Sequence, residues 1–178
     1  MAILAGVVAA GAAYFLERTI GFLIFDRFYE TYGDSYGFII ADAFFRTGLI
    51  EEAVRYLALT SVAKDAGNSR RDSIRTALLV GTGFWLAETI LYVGVFGLHA
   101  LAKRFFPAWG VHMALSVFAG CALSAEPRKK KTAFLFAAVA LHGLYDTVAS
   151  LPEAGILTPL AAVCLIATAV IIAMQQDS

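Results

Sequence analysis

The sequence predicts an all-α protein: a polytopic membrane helix bundle of about six transmembrane helices, with both termini cytoplasmic. Three observations lead there. The apolar content is too high for a small soluble core, the apolar runs have bilayer length, and the positive loop residues gather on one side.

Of the 178 residues, 60% are hydrophobic and 16% are charged. Soluble domains hold about 45–50% and about 25%. A chain of this size leaves much of its surface facing solvent, so the excess cannot be hidden inside. With a mean hydropathy of +0.73, lipid is the solvent that suits the surface. One integral membrane domain over residues 1–178 is expected, with a polar-motif core over 38–150. Zero net charge and a pI near 6.8 argue against a nucleic-acid partner. The expected surroundings are the lipid bilayer of the cell (cytoplasmic) membrane. Cys121 and Cys164 lie in apolar segments and read as buried thiols. The N-terminal stretch MAILAGVVAAGAAYFLER lacks the Lys/Arg-rich start of a secretory signal and reads as a first membrane helix that stays.

A helix crosses the bilayer core with about 20 apolar residues, because its backbone groups must be satisfied internally. The first run covers about 2–25, interrupted by Glu17 and Arg18, or is a shorter span over 2–16 with an interfacial piece. The others cover about 38–62, 75–98, 105–124, 132–150 and 156–174. Loops after the second and fourth runs carry Lys64, Arg70, Arg71, Arg75, Arg128, Lys129, Lys130 and Lys131. The opposite loops carry only Arg27, Lys103 and Arg104. That asymmetry places both termini in the cytoplasm and explains the RKKK run as a topological anchor.

Charges at the centre of a span cost several kcal/mol each, so those present need a reason. The second run holds Asp42, Arg46, Glu51, Glu52 and Arg55. The third holds Glu88, the fourth His112, and the fifth His142 and Asp146. At about 1.5 Å per residue, Glu51, Glu88, His112 and His142 lie roughly 10–20 Å from the same side. Four helices thus bring acid or imidazole groups to one layer.

Spacing refines the picture. Glu51 and Arg55 are four apart and can pair, while Glu52 points about 100° away. In an α-helix Asp42 and Arg46 fall nearly opposite Glu51 and read as a structural pair. Asp146 follows His142 by four and can hold one ring nitrogen, fixing the tautomer. His99 sits near a helix end and reads as interfacial packing, while Trp85 and Trp109 read as packing or interfacial anchors.

A carboxylate shielded from bulk solvent can act as general base on water, and nearby histidines can position that water or donate to an oxyanion. No GxSxG and no HExxH occurs, which disfavours a serine hydrolase or a zincin. The residues alone leave alternatives open. Buried acid–histidine chains also carry protons or ions in transporters, where Gly81-Thr82-Gly83 would be the candidate helix interruption. The same side chains could bind zinc in a metal-dependent hydrolase. A silent member that only binds helices is a further reading.

Four short motifs carry a family resemblance. Glu51-Glu52-Ala53-Val54-Arg55 resembles the EExxK/R motif of the PrsW-type intramembrane proteases, with Arg55 where lysine is usual. Phe84-Trp85-Leu86-Ala87-Glu88 resembles their FxxxE motif, His112 their next-helix histidine, and His142-Gly143-Leu144-Tyr145-Asp146 their HxxxD. The related CAAX-processing and Abi-type membrane proteins have a histidine in place of Glu88. The resemblance implies a glutamate-type endopeptidase with no cofactor, acting on membrane-anchored protein substrates such as anti-sigma factors. By position it implies that Glu51 is the general base and Glu52 its polar support. Glu88, His112 and His142 would hold the water or the oxyanion, and Asp146 would orient His142.

Overall fold

The computed structural model describes residues 1–33, 35–63, 69–151 and 155–175, and of residues 100 and 102–104 the backbone only. Lys64, one of the loop cations, lies outside the described residues. So do the side chains of Lys103 and Arg104. Every regular element among the described residues is helical: α1 (Ala2–Ile20), α2 (Asp26–Tyr32), α3 (Tyr36–Ala41), α4 (Leu49–Val62), α5 (Arg70–Phe96), α6 (His99–Ser124), α7 (Arg128–Ser150) and α8 (Leu157–Met174). Two π-helical turns, Gly21–Phe25 and Asp42–Gly48, join α1 to α2 and α3 to α4. The result is six helical rods, as the apolar runs predict.

Five rods are long and apolar enough to cross a membrane: Ala2–Tyr32, Arg70–Phe96, Phe105–Ser124, Arg128–Ser150 and Leu157–Met174. The sixth, α3 to α4, carries five charged residues. The first rod is longer than expected and runs unbroken through Glu17 and Arg18 to Tyr32. Chain punctuation follows ordinary rules. Ser35 Oγ accepts from the Phe38 amide at the start of α3, and Ser69 Oγ accepts from the Asp72 amide at the start of α5. Gly97, at φ +80°, ends α5 in a conformation that a side chain would strain.

α6 is the central helix. Its Val111, Leu115 and Phe118 pack with Ile74 of α5, Ala138 and Tyr145 of α7, and Leu165 of α8. On the other side, Ala9, Ala10 and Ala13 of α1 pack against Ile50 of α4 and Phe84 of α5. Helix association in lipid relies on close packing of small residues, since lipid removes the hydrophobic drive. The first halves of α1 and α5 meet this way. A methyl at Gly6 would collide with the Val80 carbonyl oxygen, and one at Gly83 with the Ile3 carbonyl oxygen. Gly81 gives the same close approach to Ser116 and His112 of α6. Residues 81–83 therefore sit in continuous helix as packing contacts, and the interruption a transporter would use is absent there.

One smaller expectation changes. Cys121 is buried, but Cys164 is exposed on α8. Trp85 is buried against Phe105, whereas Trp109 and His99 are exposed.

Candidate active site

Glu51 and Glu52 open the first turn of α4, directly after the π-turn. Such turns mark functional sites often because they rewind the helix and re-aim its side chains. Here the rewinding overturns one expectation. Arg46 does not face away from Glu51. Arg46 and Thr47 line the same cavity as Glu51. Arg46 still holds Asp42, with Nε 2.6 Å from Oδ1 and Nη2 2.7 Å from Oδ2.

The two glutamates have opposite surroundings, although both are buried. Glu52 is saturated. Its Oε1 accepts from Arg55 Nη2 and lies 2.7 Å from His142 Nδ1. Arg55 thus pairs with Glu52, three residues away, and not with Glu51 as the four-residue spacing allowed. Arg55 is 1% exposed, and its guanidinium also packs over the Phe84 ring at 5.5 Å. Glu51 Oε2, by contrast, has no hydrogen-bond partner. It lies 3.8 Å from His142 Nε2, too long for a direct bond and a separation at which a bridging water is the natural question.

The histidines are tied into the same network. Arg55 Nη1 lies 3.0 Å from His112 Nδ1, and His112 Nε2 lies 2.6 Å from Glu88 Oε2. A guanidinium only donates, so His112 Nδ1 accepts. The neutral ring then carries its proton on Nε2 and donates it to Glu88. His142 makes its short contact through Nδ1 to Glu52, while its Nε2 lies 3.4 Å from Asp146 Oδ2. Glu52, rather than Asp146, holds the ring most closely. The two imidazoles meet edge to face at 6.0 Å. The structure therefore gathers all seven residues singled out from the sequence: Glu51, Glu52, Arg55, Glu88, His112, His142 and Asp146.

A cavity of about 310 Å³ opens from this centre between α1 and α5. Glu51 and Glu88 stand at one end, and Tyr14, Glu17, Tyr92 and Phe96 line it further along. Glu17 and Arg46 were not read as site residues from the sequence. Glu17 had a usable signal, since the cost that singles out Glu88 in an apolar helix applies equally to it. Phe84, which stacks on both Arg55 and His112, gave none beyond its motif position.

Glu51, Glu88 and His112 each offer one ligand atom, and these atoms lie within 4.8 Å of one another. That spacing would suit a divalent cation. The donor chemistry does not. A metal-bound histidine uses one nitrogen for the metal and donates a proton from the other, typically to a carboxylate, carbonyl or water. With Arg55 on Nδ1, His112 has its proton on the nitrogen that would face the metal. The arrangement as it stands fits a proton-donating imidazole better than a metal ligand.

A buried carboxylate–histidine centre held by helices in a lipid-compatible bundle, with a cavity leading to it, defines a multi-pass membrane protein with a polar site inside the bundle. The sequence model described as "PrsW family intramembrane metalloprotease" matches residues 1–174. The chain belongs to that family, which makes it a membrane protein of an intramembrane protease family. No curated protein and no solved structure matches it.

Proposed function

We propose that the protein is an intramembrane endopeptidase that hydrolyses peptide bonds of membrane-tethered proteins with a water activated by Glu51. The single observation that carries this is the asymmetry of the paired glutamates. Glu52 is held through Oε1 by Arg55 and His142, while Glu51 lines the cavity and its buried Oε2 has no hydrogen-bond partner. A general base must keep a free lone pair facing the reactants.

In this reading Glu51 takes a proton from water, and the hydroxide adds to the scissile carbonyl carbon. Negative charge moves to the carbonyl oxygen. His112, held by Arg55 with its proton on Nε2, supplies a hydrogen bond to that oxyanion as Glu88 releases it. Glu51 then passes its proton to the leaving nitrogen as the carbon–nitrogen bond breaks. Glu52 and Arg55 do not react. They fix His142 and His112, which is the pre-organisation such a site needs. The substrate class is membrane-anchored protein, membrane-anchored regulators such as anti-sigma factors among them. The cell membrane with both termini cytoplasmic is the matching location.

The deciding experiment is cleavage of a single-pass substrate in proteoliposomes, comparing wild type with Glu51→Gln, Glu52→Gln and His142→Ala, with and without chelator. Full activity in Glu51→Gln would remove Glu51 as base. A metal-dependent hydrolase is the second reading, favoured by the 4.8 Å grouping of Glu51, Glu88 and His112. Activity lost to chelator and restored by zinc would establish it.

A further inference from the structure

We propose that Glu17 is a specificity-determining residue, receiving a lysine or arginine of the substrate two residues from the scissile bond. This rests on the peptidase reading of the same cavity.

α1 meets α5 over its first half. The two helices touch backbone to backbone where Gly6 opposes Val80 and Phe84. Small residues continue the contact through Ala9, Ala10 and Ala13. Beyond Ala13 the facing residues are large, and the cavity fills the gap between the helices. One wall carries Tyr14 and Glu17, the other Leu91, Tyr92 and Phe96, and Glu51 and Glu88 close the inner end. The cavity is thus a slot with an apolar flank, a reactive floor and a carboxylate part-way along.

Glu17 has no hydrogen-bond or ion-pair partner among the described residues. It lies within electrostatic reach of Glu88, Arg46, His142 and Asp146. Neither nearby cation neutralises it directly. Arg46 is held in a two-point pair by Asp42, and Arg18 is exposed. A carboxylate in an apolar span without a paired cation is costly. Glu51 lines the same cavity, is 5% exposed and has no hydrogen-bond partner at Oε2, a second sign that the slot is built for an incoming ligand. An incoming cation offsets the cost at Glu17.

Distance sets the register. Glu17 lies eleven residues beyond Gly6, and α1 runs parallel to α5, which puts it level with residues in the low nineties of α5. That is about 7 Å past Glu88 along the slot, at about 1.5 Å per helical residue. An extended peptide covers about 3.3–3.6 Å per residue, so the cation sits two residues from the bond attacked above Glu51.

The test uses the full chain in proteoliposomes and single-pass substrates with Lys, Leu or Glu two residues to either side of the scissile bond. Wild type should favour Lys over Leu by about ten- to hundredfold in kcat/KM, at one of the two positions. Glu17→Gln should erase that preference, cutting the Lys and Leu substrates equally. Glu17→Lys should prefer the Glu substrate. Equal loss on all three substrates in Glu17→Gln, or an unchanged Lys preference, would overturn the proposal. Peptide affinity measured on the Glu51→Gln chain separates the two readings. A Lys preference in binding that depends on Glu17, without any cleavage by wild type, would sink the peptidase reading alone. Cleavage indifferent to Glu17 would sink only this one.

Discussion

Arg55 joins Glu52 to His112: one guanidinium nitrogen donates to the Glu52 carboxylate and the other to His112 Nδ1 at 3.0 Å. The two residues it bridges come from different helices, α4 and α6. A lysine in its place keeps the charge but offers one compact donor group instead of a fork. Arg55→Lys is expected to lower kcat by about 10- to 100-fold, the usual cost of losing a residue that orients a reacting group. Arg55→Met leaves Glu52 buried without its cation. A broken buried pair costs about 3–5 kcal/mol, so this variant is expected to show a much lower Tm in detergent.

The glutamates should separate in stability as clearly as in chemistry. Glu51→Gln removes a carboxylate whose Oε2 has no partner, and is expected to abolish cleavage with little change in Tm. Glu52→Gln weakens the contacts to Arg55 and His142 together, and is expected to lose about 3–5 kcal/mol of stability. Thermal unfolding of both purified variants beside the cleavage assay checks the pair. Equal destabilisation would contradict the division of roles.

Metal removal gives a third outcome. The tautomer that Arg55 imposes on His112 puts a proton where a metal would bind. Protein dialysed against chelator is expected to retain its activity, and elemental analysis of active protein is expected to find less than stoichiometric zinc.

The contact between α1 and α5 should tolerate no added atoms. An added methyl at Gly83 meets the Ile3 backbone, which cannot rotate out of the way as a side chain can. Overpacking typically costs about 1–3 kcal/mol. Gly83→Ala is expected to lower Tm, while Gly94→Ala, with nothing within 4 Å of the added carbon, should leave it unchanged.

These expectations rest on features of unequal legibility. The six rods follow from apolar run length, since lipid forces helices and the period is plain. The depth of Glu51, Glu88, His112 and His142 follows from counting residues, because an α-helix has a fixed rise. Which partner Arg55 takes could not be counted. Three-residue and four-residue spacings are both neighbours on a helix, and the choice falls to His142, which arrives from α7 and adds a second contact to Glu52. Arg46 escaped for another reason. Its angular position assumed α-helical winding, and the π-turn over Asp42–Gly48 has a wider period that no local pattern announces. Glu17 was seen as an interruption and not as a member of the site, because α1 carries none of the four motifs and only packing brings it to the cavity.

That last point has an evolutionary consequence. The acid–histidine cluster stands on α4, α5, α6 and α7, whereas one whole wall of the slot belongs to α1, anchored near Gly6 and Gly83. On the proposed reading, substitutions along the second half of α1 redraw which proteins are accepted and leave the four helices that carry the acid–histidine cluster untouched. On the same reading a duplicated gene diverges in clientele by drift within the codons of α1 alone, and its chemistry is inherited intact.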